Sequence, residues 1–319
     1  MKEIESWRNG VWVPNSDIGT KLWDAHYFFG WAVFEAIRTY NHAPFLLDEH
    51  IDRLYRSADL AEVKFDMSKA KMKELTYEVM EHNKKFFDDG EEYRIMIFIS
   101  PGYFKIYDDM GDPGPIITVN MTTTSRYAKH VAPYLEKGYT TLISSQRQIP
   151  SRFLDPKIKS CSRLHYGLAD AEAARYGSGV VPILLDEHGY VTESSGSNIA
   201  FVKDGKLCVP KYENILRGCT INYVEKVARD YNISILEDNW EVYDITNCDG
   251  IIITSTFSGL TYSYNLIYRN KTYKLTGGEH VINNLIDGFS KGVGVDIVKQ
   301  WKEWYEKKYN TKLTATKTT

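Results

Sequence analysis

The stretch "DPKIKSCSRLHYGLADAEA", Asp155 to Ala173, lies at the middle of the chain and poses its central question. Leu164, Leu168 and Ala171 recur there at helical spacing and Gly177 supplies a stop, so a helix is expected after Lys159. Lys159 then stands at the mouth of that helix. A helix N-terminus carries partial positive charge, so a cation is mildly unfavourable at it. Two readings are open. Lys159 is a solvated loop lysine, as most lysines are, or it is an amine held for Schiff-base chemistry. In the second case partial desolvation or nearby cations would populate its neutral form near pH 7.

Working outward towards the N-terminus, "ESWRNGVWVP" carries Asn9-Gly10 between short aromatic and β-branched runs, a hairpin signature. "WAVFEAIRTYNHAPFLL" reads as two strands around a turn at Asn41 to Pro44. "DEHIDRLYRSADLA" places Ile51, Leu54, Ala58 and Leu60 near one face of a helix, and "SKAKMKELTYEVMEHNKKF" is a second. The strands "YRIMIFIS" and "PIITVNMTTT" complete a small α+β unit over residues 1–125. The pattern lapses in "SRYAKHVAPYLEK", and residues 126–136 read as a linker.

Beyond the linker the texture changes to short strands: "YTTLISS", "VVPILLD", "YVTES", "NIAFV" and "KLCVP", with turns at Glu187-His188-Gly189 and Lys203-Asp204-Gly205. A helix at Thr220–Asn232, the strand "GIIITST", a hairpin "NLIYRNKTYKLT" and a closing helix at Val295–Tyr309 finish a larger unit over 137–310. Residues 311–319 read as a frayed tail.

The composition bounds the classes of function. With 319 residues the chain has room for two ordinary domains or one large one, and 43% apolar with 25% charged residues is the balance of a soluble globular protein. A net charge of −3 gives no electrostatic footprint for nucleic acid or an anionic membrane. No run approaches the roughly 20 apolar residues of a membrane span, and the start "MKEIESWRNGVWVP" has no apolar core of a secretory signal. The four cysteines form no C-x-x-C pair, which speaks against a disulfide scaffold or a zinc site and fits a reducing, cytoplasmic setting. No metal is expected.

Three further stretches can carry chemistry. In "DEHGYVTESSGSNIAFVKDGKLCVP", Glu193 sits where strand texture gives way to Ser, Gly and Asn. It is a solvated loop carboxylate or the acidic partner of a protonated ring nitrogen. In "LRGCTINYVEKVARDY", Gly218 precedes Cys219 and Thr220 at a helix start, where free N–H groups suit a phosphate as well as an ordinary cap. In "TSTFSG", Thr254 to Gly259, hydroxyls cluster at a strand end, as in an anion site or a simple loop. "KGVGVD" lacks the context of a dinucleotide fingerprint, and His50 and His188 lie in "DEH" triplets without a second ligand pair. His165 is a pocket, packed or surface residue.

In order and spacing these stretches resemble one family, the fold-type IV pyridoxal-phosphate enzymes, or class IV aminotransferases, which include branched-chain and D-amino acid aminotransferases. Lys159 with Glu172-Ala173, "GYVTESSGSNIAFV", "LRGCT" and "TSTFS" match its C-terminal motifs. "FFGWAVFEAIRTY" resembles its "HYG-x-x-VFEGIR-x-Y", and "DEHIDRLYRSA" its "EHI-x-RL-x-x-SA". The resemblance runs from Trp7 to Leu285. It implies an α+β fold of two domains, a small α+β N-terminal one and a larger β-rich pseudo-barrel with helices that binds the cofactor. It also implies a homodimer, and small-molecule partners: an amino donor and a 2-oxo acid acceptor.

Residue by residue, Lys159 is similar to the family lysine that forms the Schiff base with pyridoxal 5'-phosphate and moves the proton at Cα. Glu193 matches the acid on the pyridine nitrogen, which keeps the ring an electron sink. Arg53 matches the arginine on the cofactor phosphate, joined by Cys219 (through its amide), Thr220, Thr256 and Phe257 in the cofactor-binding set. The substrate-facing set is Phe29, Phe34, Arg38, Arg94 and Ser258. For the two arginines the other reading is ion pairing with Glu35 or Glu92. Departures are equally plain. Leu164 stands where branched-chain enzymes have a tyrosine on the ring hydroxyl, leaving Arg163 or Tyr166 to take that contact. Phe29 replaces a tyrosine, and Phe257 a small residue beside the substrate carboxylate. The expected reaction is transamination of an apolar or aromatic, branched-chain-type amino acid. Alternatives on the same fold are a D-amino acid or (R)-amine transaminase and an aminodeoxychorismate lyase-like elimination. A non-catalytic binding protein on the inherited fold is the reading from another class.

Overall fold

The computed structural model describes residues 3–313. The chain forms two compact units. The first is Met1–Thr124 together with Ile158–Arg163; the second is Ser125–Lys157 together with Leu164–Thr319.

The first unit is built on a sheet of β1 (Glu5–Arg8), β2 (Val11–Pro14), β3 (Val33–Tyr40), β4 (Ala43–Pro44), β5 (Tyr93–Gly102) and β6 (Pro113–Thr123), in the order β2-β1-β6-β5-β3-β4. Asn9 and Gly10 take positive φ at the β1–β2 turn, as the hairpin signature requires. Along β5, Tyr93, Ile95, Ile97 and Ile99 are buried while the residues between them are less so, the period of two that aims alternate side chains at one face. Antiparallel pairing brings Val33 to Ile99, Glu35 to Ile97 and Ile37 to Ile95.

Among its described residues this unit has the α-helices α1 (Ala25–Phe29), α2 (Leu47–Leu60) and α3 (Lys69–Asn83). The sheet packs Ile95, Ile97 and Ile99 with Ile51, Leu54 and Ala58 of α2 and Met72, Leu75 and Val79 of α3 in one core. Leu60, expected on the same face of α2, is instead 58% exposed. Nine residues past Ile51 is half a turn round the helix, away from the core.

The second unit holds β7 (Tyr139–Arg147), β8 (Val180–Leu185), β9 (Asn198–Lys203), β10 (Lys206–Pro210), β11 (Ile235–Asp238), β12 (Gly250–Ser255), β13 (Gly259–Tyr268) and β14 (Lys271–Lys274). Their order is β11-β10-β9-β12-β13-β7-β8, with β14 paired to β13. Its helices are α4 (Ala128–Val131), α5 (Tyr134–Lys137), α6 (Leu164–Ala173), α7 (Cys219–Asp230), α8 (Val242–Thr246), α9 (Glu279–Val293) and α10 (Ile297–Tyr309). Residues 126–136 lie largely in α4 and α5, whose Ala128, Val131 and Leu135 pack with Trp301 and Trp304 of α10.

Several expectations are corrected here. "YVTES" forms no strand and makes only the isolated bridges Leu185–Val191 and Glu193–Asn198. The α6 stripe is reversed: Leu164 is 77% and Leu168 47% exposed, whereas Tyr166, Ala169 and Ala173 are buried. Small alanines and one tyrosine let α6 lie close over Leu184 of β8. Helix α9 is an addition to the expected elements, although Val281, Ile282, Leu285 and Phe289 give it a buried stripe. Gly294, noted in "KGVGVD", caps its end at φ +69. Of the tail, 311–313 are irregular and 314–319 lie outside the described residues.

Candidate active site

In the first unit the strand period places Glu35 in the same row as Val33 and Ile37, facing α2 in the apolar core. A lone carboxylate there would carry a heavy desolvation cost. Helix α2 meets it with His50 and Arg53, one turn apart. Arg53 donates from Nε to Glu35 Oε1 at 2.6 Å and from Nη2 to Oε2 at 2.9 Å, and His50 Nδ1 lies 2.7 Å from Oε2. Burial pushes the Glu35 carboxyl up, but Arg53 and then His50 outweigh it and hold it well below the usual carboxylate range. His50, noted for its metal-like triplet, therefore serves this pair.

One further turn along the same stripe of α2, Ser57 Oγ accepts the Lys159 backbone N–H at 3.1 Å. The Lys159 carbonyl in turn accepts from Phe34 N–H at 3.0 Å, Ser160 bridges Val33, and Cys161 N–H reaches Ala32 O at 2.9 Å. Lys159 thus sits on an extended strap along the start of β3. Because α6 begins only at Leu164, the expected place at a helix mouth is corrected. The side chain is half-buried, with Nζ 4.6 Å from the centre of the Phe34 ring; Arg163 Cζ lies 5.6 Å from the same ring.

Of the other expected residues in this unit, Arg38 is 1% exposed and stacks its guanidinium 4.3 Å over the Tyr40 ring. Burial lowers its pKa, against the pull of Tyr40 and Glu92. Arg94 is half-buried and directly across the ladder from Arg38. Glu35 is taken by Arg53, and Glu92 accepts Thr39 Oγ1 at 2.5 Å and the amides of Asn41 and His42. Phe29, on α1, is 52% exposed and meets Phe104 edge-on.

In the second unit Glu193 is 3% exposed, and both oxygens are held. Oε1 accepts from Tyr166 Oη at 2.7 Å and Gln148 Nε2 at 3.0 Å; Oε2 accepts from Asn198 Nδ2 and Leu216 N–H, each at 3.1 Å. Tyr166, one of the two candidates for the ring hydroxyl, is engaged here with Glu193. Glu172 fastens α6 to β7 through Ser144 and Ser145.

From Leu216 the chain runs straight into the start of α7. Gly218 caps that helix with no side-chain hydrogen bond, and a Cβ on it would come within 2.0 Å of Asn198 Oδ1. Glycine there lets the helix mouth approach the residue that holds Glu193. Cys219 and Thr220 occupy the first turn, both buried. Thr220 Oγ1, like Thr254 Oγ1 at the end of β12, is buried without a hydrogen-bond partner among the described residues. Buried hydroxyls rarely stay unpaired. A missing acceptor at an uncapped helix N-terminus has the chemistry of a phosphate oxygen, and a buried carboxylate in fixed direction has that of a partner for a cationic ring nitrogen. The donor set fits pyridoxal phosphate.

Thr256, Phe257 and Ser258 form the turn between β12 and β13, with Ser258 Oγ 2.8 Å from Ser255 Oγ. Phe257 packs edge-on to Tyr127 and Trp301. A cleft of about 280 Å³ in this unit, lined by Gln148, Arg152, Asp186, His188 and Glu213 among others, contains none of the expected site residues.

The model of the family described as amino-transferase class IV matches residues 32–262. The chain belongs to the class IV aminotransferases. These enzymes depend on pyridoxal phosphate, so this aminotransferase does too. A Methanocaldococcus jannaschii protein provisionally named a branched-chain-amino-acid aminotransferase is 31% identical over 93% of this chain and 94% of its own. A Staphylococcus aureus D-alanine aminotransferase is 28% identical over 79% of this chain and 86% of its own. Among solved structures, the branched-chain aminotransferase from the thermophilic archaeon Thermoproteus uzoniensis with norvaline superposes with a TM-score of 0.78 at 20% identity, covering 95% of this chain and 98% of that one. That likeness bears out the two-sheet α+β fold.

Sequence reading missed Glu35 as the partner of Arg53, Ser57 as that of Lys159, and Gln148 and Asn198 as those of Glu193. Only Glu35 left a signal, a carboxylate at an inward position of an apolar strand.

Proposed function

We propose that this aminotransferase moves the amino group between an apolar or aromatic, branched-chain-type amino acid and a 2-oxo acid. The observation that carries the reading is Glu193, a buried carboxylate held by donors on both oxygens. When bound, pyridoxal phosphate supplies an electron sink for the charge left at the substrate Cα. Lys159 Nζ is the amine that carries the cofactor and, once released, takes and returns the Cα proton. Glu193 holds a proton at the ring nitrogen. Arg53, the Cys219 and Thr220 amides, and the Thr220 and Thr256 hydroxyls bind the phosphate, with Phe257 beside them. Phe29, Phe34, Arg38, Arg94 and Ser258 bound the substrate, a guanidinium being suited to grip a carboxylate with two hydrogen bonds.

The D-alanine aminotransferase relatives support a second reading, transamination of D-amino acids. We further propose a homodimer in the cytoplasm. Exposed Leu22, Tyr27, Phe28, Ile106 and Met110 in the first unit support the dimer; the unpaired cysteines support a reducing compartment.

The purified protein is expected to be yellow, to lose its visible band on borohydride reduction, and to carry the label on Lys159. Lys159→Ala is expected to keep the fold and lose turnover; transamination surviving in that variant would overturn the role of Lys159. Bleaching of the band by a panel of L- and D-amino acids separates the two substrate readings.

A further inference from the structure

We propose that Gln148 is a positioning residue for the Glu193 carboxylate, acting with Tyr166 as one unit on Oε1. This inference rests on the reading that Glu193 holds the cofactor's ring nitrogen. The direction of a side-chain amide is ordinarily a matter of assignment, but here the neighbours fix it. Ile149 N–H can only donate, and it lies 3.1 Å from Gln148 Oε1. The amide nitrogen therefore faces the other way, to Tyr166 Oη at 2.7 Å and Glu193 Oε1 at 3.0 Å. Tyr166 Oη, accepting from the amide, gives its own proton to Glu193 Oε1 at 2.7 Å. Gln148 Oε1 also meets His165 Nε2 at 2.9 Å; since that oxygen only accepts, His165 bears its proton on Nε2.

Every donor in this series thus points towards one carboxylate oxygen. Burial of Glu193 disfavours its ionised form, while hydrogen bonds to that form favour it. Donors aligned in series also polarise one another. Gln148 is neutral, so it fixes the carboxylate without cancelling the charge that a cationic ring nitrogen requires. At 4% exposure, Gln148 leaves little room for solvent to replace the bond if the amide is lost.

The test compares Gln148→Met, Gln148→Glu, Tyr166→Phe and the double variant Gln148→Met/Tyr166→Phe as holoenzymes. The readouts are the pyridoxal phosphate concentration that keeps half the sites loaded, followed by the visible band, and the thermal midpoint. Loss of one charge-assisted bond predicts about tenfold weaker retention for Gln148→Met and for Tyr166→Phe. Gln148→Glu keeps the size but turns acceptor against acceptor, so about a hundredfold loss is expected. The double variant loses less than the product of the single losses, because both act at one atom. In Gln148→Met, kcat falls while KM for the amino donor stays near the wild-type value.

Equal retention by Gln148→Glu and Gln148→Met, or losses that multiply in the double variant, would overturn the inference. Should Gln148→Glu not fold, the other variants decide it on multiplicativity alone. Glu193→Gln separates the two levels of the argument. If Glu193→Gln keeps the band and the cofactor, the reading of Glu193 itself fails; if it loses them while the Gln148 variants do not, only the positioning role fails.

Discussion

Glu35 shows what a single residue can demand of a fold. A carboxylate in the apolar row of β3 obliges α2 to bring Arg53 and His50 to it, and this fixes the guanidinium assigned to the phosphate. Removing one partner of a buried pair costs about 3–5 kcal/mol, so Glu35→Ala is expected to lower the stability by that order in chemical denaturation. The milder Glu35→Gln carries the pH test. The folded-state pKa of Glu35 is depressed, so its stabilisation is full above the unfolded pKa near 4.5 and is lost as pH falls towards the folded value. Wild-type stability is therefore expected to drop more steeply below about pH 4.5 than that of Glu35→Gln; parallel acid titrations would refute the assignment. At this scale the sequence is informative about identity and silent about company. The motifs mark Lys159, Glu193 and Arg53, but the partners of Glu193 come from positions up to 45 residues away, which no local pattern reports.

At the scale of elements, periodicity locates most strands and, in the first unit, α2 and α3 but not the short α1, and it fails where packing uses small residues. The leucines of α6 suggest the buried stripe, yet a helix that must lie close to a sheet turns its alanines inward. The strap Ile158–Arg163 depends in turn on Gly30. With φ +62, Gly30 has Cys161 O and the Ser162 backbone only 2.9 Å from where a Cβ would stand. Gly30→Ala is expected to destabilise the protein by about 1–3 kcal/mol through strain and contact together, and to speed hydrogen exchange at Cys161, whose amide bonds Ala32 O. Gly218→Ala pushes on Asn198 and is expected to weaken retention of pyridoxal phosphate with little change in thermal midpoint.

For the whole molecule, composition indicates the class, and the order of motifs indicates the family, because both survive without knowledge of contacts. The assignment of Ile158–Arg163 to the first unit cannot be read from the sequence, since it is a long-range choice made by β3's open edge. Burial pushes three thiols well above their usual range, Cys161 and Cys208 to about 11 and Cys248 to about 12. Alkylation at pH 8 is expected to be slow at all three until the protein unfolds, a difference that mass spectrometry resolves by peptide. The strap has a consequence for recombination. A hybrid that exchanges only residues 1–124 between two relatives would set a foreign β3 against a native Ile158–Arg163, and would leave Lys159 with the other parent. A crossover scheme that respects the fold must transplant the strap as a separate insert, so the first unit is discontinuous in the gene even though it is compact in structure.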